Sequence, residues 1–80
     1  MARYTDATDS WQNVTLTKDE IWYCHEGLLI VSTDASPAPD AGIGRTSGQS
    51  IGPYPAGKTI HYRAGITGMV TAYERQEVSL

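Results

Sequence analysis

Turn-forming residues interrupt this chain every eight to twelve positions, and apolar and polar side chains alternate between them. Glycine, proline, aspartate and serine make the breaks, as at Gly27, Gly42 and Pro55-Ala56-Gly57. A helix needs a longer uninterrupted stretch with a period near 3.6, whereas short alternating runs suit strands. The spacing predicts an all-β chain, a small single-domain antiparallel β-sandwich or barrel.

Strands are expected over residues 10–17, 21–26, 28–31, 43–45, 49–54, 58–64 and 69–74. Gly27 reads as a bulge or tight bend between the second and third. Residues 28–31, Leu-Leu-Ile-Val, are the one continuous apolar run, so both faces of that strand should be covered, by core or by a partner. Residues 36–42 form a loop, because Pro37 and Pro39 forbid a regular ladder. Only residues 73–80 have a composition open to helix, and they are too few to stand alone. The chain divides into an N-terminal arm (1–10), a β-domain (11–75) and a C-terminal tail (76–80). Alternation assigns Val14, Leu16, Ile21, Tyr23, Leu29, Val31, Ile60, Tyr62, Val70 and Ala72 to the core.

Eighty residues bury only about two-thirds of the surface the unfolded chain exposes. Small domains compensate with disulfides, metals or partner subunits. Cys24 is the only cysteine, so no disulfide forms within the chain. His25 and His61 are the only histidines, which leaves few nitrogen and sulfur ligands for a metal. Self-association is the remaining support. The net charge is −3, and six scattered basic residues make no patch for a phosphate backbone. No apolar run approaches a bilayer span, and residues 1–6 lack the apolar stretch of a secretory leader. Synthesis in a cytoplasm is the plain expectation.

Several motifs look sharper than they are. Residues 48–52, Gly-Gln-Ser-Ile-Gly, match the G-x-S-x-G pattern of a hydrolase nucleophile, but Pro53 and Pro55 prevent the helix that must follow Ser50. Residues 48–61 approach the second cupin motif, a glycine, then P-x-G, then a metal-binding histidine. The spacing is one residue long on each side, and the first motif's H-x-H is absent. Cys24 and His25 alternate onto opposite faces, so a shared metal with His61 is disfavoured. Asn13-Val14-Thr15 is a chance glycosylation sequon, and Gly42, Gly44 and Gly48 miss the dinucleotide spacing. Asp34 and Asp40 belong to a solvated loop rather than a calcium site. Trp11, Trp22 and five tyrosines suggest a sugar platform, yet with no phenylalanine these rings must also fill the core. No catalytic residue, cofactor or metal ligand is expected.

The order of segments resembles a family of small virion proteins of tailed bacteriophages. The likeness is carried by Asp9-Ser10-Trp11-Gln12-Asn13-Val14-Thr15-Leu16, by Glu20-Ile21-Trp22-Tyr23, and by Gly27-Leu28-Leu29-Ile30-Val31-Ser32-Thr33. It continues through Pro39-Asp40-Ala41-Gly42, Pro55-Ala56-Gly57-Lys58-Thr59 and Ile60-His61-Tyr62-Arg63-Ala64. It covers most of the chain as a pattern, without an invariant signature. Members are similar to capsid decoration (cement) proteins, or to head-spike, fibre-base or tail components. The resemblance implies a shell-bound β-domain on the capsid surface, often a trimer, contacting the major capsid protein and without enzymatic activity. The arm, residues 2–10, has little apolar content of its own and is expected to reach the shell or a neighbour, with Arg3, Tyr4, Asp6 and Trp11 as contacts. A carbohydrate-binding module is the rival reading, and a row of exposed rings would favour it.

Overall fold

The computed structural model describes residues 3–79; Met1, Ala2 and Leu80, at the ends of the expected arm and tail, lie outside the described residues. Among the described residues eight strands form: β1 (Arg3–Tyr4), β2 (Gln12–Thr15), β3 (Glu20–Glu26), β4 (Leu28–Ser32), β5 (Ile43–Thr46), β6 (Gln49–Tyr54), β7 (Thr59–Ala64) and β8 (Ala72–Glu77). They build two antiparallel sheets of four, ordered β1-β8-β3-β6 and β2-β7-β4-β5. The protein is an all-β sandwich, with Leu16, Trp22, Leu29, Val31, Ile60, Tyr62 and Tyr73 in the core between the sheets.

Gly27 is the corner at which the chain leaves one sheet for the other. Its φ of +79° lies in the left-handed region, and a Cβ there would sit 2.5 Å from Thr71 Oγ1 and 2.7 Å from Val70 O. Only glycine combines that backbone with so close an approach. Thr71, buried just before the last strand, braces the corner by donating to Leu28 O (3.3 Å) and accepting from Leu28 N (3.4 Å).

Three expectations need correction. In β3 the inward residues are Trp22 and Cys24, while Ile21 is half-buried and Tyr23 is 38% exposed. Ile-Trp-Tyr-Cys is apolar in either phase, and burying the indole removes the larger area from water. Val70 lies outside the core, 61% exposed in the loop that precedes β8. Residues 73–77 are strand, and no helix occurs among the described residues.

The ends expected as arm and tail also carry ladder. Arg3 pairs with Glu74 and Tyr4 with Tyr73, and β8 extends to Glu77.

The second face of β4 is covered from within the chain. Leu29 and Val31 enter the core, and the proline loop folds over Ile30 on the other side. A Cβ on Gly42 would lie 2.8 Å from Ile30 Cγ2 and 3.2 Å from the Trp11 ring. Trp11 Nε1 donates to Ala38 O (3.1 Å) and Arg63 Nη2 to Pro39 O (2.9 Å), fastening the loop down. The apolar run at 28–31 therefore needs no partner subunit to cover it.

Candidate binding surface

Residues 5–11 cross from β1 in one sheet to β2 in the other, over the open side of the sandwich. Asp6 sits at the crossing. Its carboxylate accepts from Tyr73 Oη (2.6 Å) and Tyr62 Oη (3.1 Å), one phenol from each sheet. Gln12 holds the crossing from behind, donating to Asp6 O (2.8 Å) and accepting from Thr8 N (2.7 Å). Thr8 O in turn accepts from Ala64 N (2.6 Å) at the end of β7.

Beside this crossing the β7–β8 connection carries Ile66, Met69 and Val70 outward, at 41%, 53% and 61% exposure. No charged residue lies between Arg63 and Glu74. Met69 N donates to Ile66 O (3.3 Å), closing the turn, and Gly68 supplies its positive φ of +83°. Between crossing and loop runs a groove of about 350 Å³, bordered by Thr5, Ala7 and Asp9 on one side and by Ile66, Met69 and Val70 on the other.

The four expected contact residues are placed as follows. Arg3 is exposed on β1. Tyr4 stacks on Tyr73 with ring centres 5.3 Å apart and lies under the Arg75 guanidinium at 5.5 Å. Asp6 is engaged by the two phenols, and Trp11 by the proline loop and by Arg63, 5.1 Å above its ring. Three of the four therefore hold the chain's own segments together. Alternation places Val70 in the core and so hides the exposed apolar loop; the signal for it is an uncharged run punctuated by Gly65 and Gly68.

The groups with reactive potential do not converge. Cys24 points into the core, where burial pushes its thiol pKa up and keeps it protonated. His25, on the outer face of its sheet, bonds Glu74 (2.9 Å) and packs edge-on to Tyr23. His61 lies on the other sheet, opposite Asn13 and Ser32. Ser50 belongs to β6, which continues to Tyr54 without a helix. Among the described residues no three His, Cys, Asp or Glu side chains gather to hold a metal ion. Among the described residues the rings form no exposed row: Trp22, Tyr62 and Tyr73 are buried together with ring centres 5.3–5.5 Å apart, in stacked, edge-on and tilted pairs.

The phenol cluster imposes a pH dependence. Burial, and then the bond to Asp6, pushes the Tyr73 pKa well above its ordinary value; burial raises Tyr62 and the Cys24 thiol as well. These groups keep their protons in the fold at a pH where the unfolded chain has released them. Their contribution to stability is complete below the unfolded values and falls as pH rises past them. Each phenol contributes a slope of up to about 1.4 kcal/mol per pH unit above roughly pH 10. The urea midpoint is expected to hold at neutral pH and to fall steeply on the alkaline side, less steeply in Tyr73→Phe. An alkaline limb with the same slope in that variant would contradict the assignment.

No family model, curated protein or solved structure matches this chain.

Proposed function

We propose that this chain is a non-enzymatic structural protein of a tailed-bacteriophage virion, a capsid decoration protein that attaches to the head surface as an oligomer. The observation that carries the reading is the exposed apolar loop at Ile66, Met69 and Val70. These side chains stand in solvent on a turn whose neighbours are firmly braced, so packing within the domain does not account for them. Large exposed apolar groups gathered at one place mark surfaces that another protein covers. The loop's lack of charge suits an apolar patch on the major capsid protein. The segment order described above supports the viral setting, and the dispersal of His25, Cys24, His61 and Ser50 supports a role without chemistry.

The test is co-sedimentation with emptied heads of the phage that encodes the chain. The unaltered protein should sediment with heads and saturate. Met69→Asp/Val70→Asp changes exposed side chains, so folding stability should move by no more than about 0.5 kcal/mol per site. Its attachment should weaken at least about tenfold, the equivalent of 1.4 kcal/mol. Failure of the unaltered protein to bind heads, or equal binding by the double variant, would refute the proposal.

A further inference from the structure

Four strand edges border the two sheets, and three of them are guarded. β6 contains Pro53 and ends against Pro55, both lacking an N–H. β5 carries Arg45, whose side chain folds along the edge to bond Ser50 O (2.9 Å) and Gly44 O (3.0 Å). β1 is only two residues long and begins with an arginine. Short strands, prolines and charges are the usual means of keeping an edge from pairing.

β2, four residues long, carries neither a proline nor a charge on its edge. Residues 11–17, Trp-Gln-Asn-Val-Thr-Leu-Thr, contain no charge, no proline and no glycine. The direction of their backbone groups follows from the ladder to β7. Leu16 N donates to Lys58 O (2.9 Å), and Val14 and Gln12 stand opposite Ile60 and Tyr62. Antiparallel pairing alternates, so Gln12, Val14 and Leu16 turn their N–H and C=O toward β7 while Asn13 and Thr15 turn theirs away. The Thr15 and Thr59 hydroxyls, 2.9 Å apart, fit the closer side-chain approach of a pair that exchanges no backbone bonds. Asn13 and Thr15 are exposed, and among the described residues no backbone partner lies on their outer side.

We infer that this edge is a self-association surface, on which β2 of a second copy pairs antiparallel about a two-fold axis beside Val14. Asn13 of each copy then faces Thr15 of the other, and each facing pair exchanges two hydrogen bonds. The two β2-β7-β4-β5 sheets become one sheet of eight strands. A second copy fits the edge because it brings the same uncharged, proline-free strand, with Asn13 and Thr15 presenting outward N–H and C=O at the same spacing. Each copy carries a net −3, and residues 11–17 add no charge to the contact, so like charges are not brought face to face there. An isologous contact uses the same patch on both subunits and closes on itself. It joins subunits in pairs, where the resemblance implies threes, and it does not depend on attachment to a capsid.

The test needs only the purified protein. Light scattering at rising concentration should approach twice the 8.7 kDa chain mass. Asn13→Pro, which removes an outward N–H, and Thr15→Lys, which places a charge on the edge, should each remain at the single-chain mass while keeping a strand-type circular dichroism spectrum. If Asn13→Pro does not fold, Thr15→Lys and amide exchange decide. The Asn13 and Thr15 amides should exchange more slowly in the paired protein than in dilute solution. A protein that stays monomeric, a mass of three chains, or an oligomer indifferent to Thr15→Lys would overturn the inference.

Discussion

Glu20→Ala is expected to destabilise the protein by about 3 kcal/mol, the lower end of the range for breaking a buried ion pair from one side. The Glu20 carboxylate accepts from Arg75 Nε (2.8 Å) and Nη2 (3.1 Å), and from Trp22 Nε1 (3.2 Å). The two side chains are 12% and 20% exposed, so some solvent reaches the pair and the upper end of the range does not apply. Arg75 lies 5.3 Å from the Trp22 ring centre and 5.5 Å from that of Tyr4. Without Glu20 the guanidinium stays wedged between the rings with no counter-charge, and the indole N–H of a fully buried tryptophan loses its acceptor. Glu20→Gln, which keeps an acceptor for the indole, should cost less than Glu20→Ala. The pair Glu20→Met/Arg75→Met, which removes both charges, should lie closer to the unaltered protein than Glu20→Ala alone. Urea midpoints at constant m-value give the comparison. A loss under about 1 kcal/mol for Glu20→Ala would class the pair with surface salt bridges.

Asp6→Ala is the second large effect, expected at about 1.5–2 kcal/mol because the carboxylate itself is exposed while both phenols are buried. It strips the shared acceptor from two buried phenols, and bonds to charged groups contribute about 1.5–3 kcal/mol each. The two hydroxyls adjoin and can bond one another, which keeps the expected loss below the sum. Asp6→Asn retains one acceptor oxygen and should fall between. A double-mutant cycle with Tyr73→Phe isolates the coupling, expected at about 0.5–1 kcal/mol because the phenol is buried but Asp6 is exposed; additive losses would contradict the bridge. The consequence reaches the arm as a whole. Deleting residues 1–10 removes Asp6, the β1 ladder and the ring on Tyr73 together. That deletion is a folding lesion, so attachment is better probed at Met69 and Val70, whose side chains are exposed.

Much of the architecture was legible because it is local. Alternation marks Ile60 and Tyr62 as one face of β7, and both are buried. Pro37 and Pro39 exclude a ladder in their own segment, and Gly27 marks a break in any strand pattern. Such signals depend on neighbours in the chain, so the all-β class and the segment order could be read from the residues alone. The phase of β3 could not, since Ile21 and Tyr23 compete on equal pattern with Trp22 and Cys24. Tertiary packing decided it by seating the indole beside Tyr62 and Tyr73 and under the Glu20–Arg75 pair. Asp6 was equally opaque, because its partners lie 56 and 67 residues away and a lone aspartate in a polar arm carries no sign of them. The cover over Ile30 and the exposure of Val70 depend likewise on where loops come to rest. The chain's local alternation determined what the strands are; which face turns inward, and what bridges the two sheets, was decided by contacts between segments far apart in sequence, where burial and hydrogen bonding are settled together.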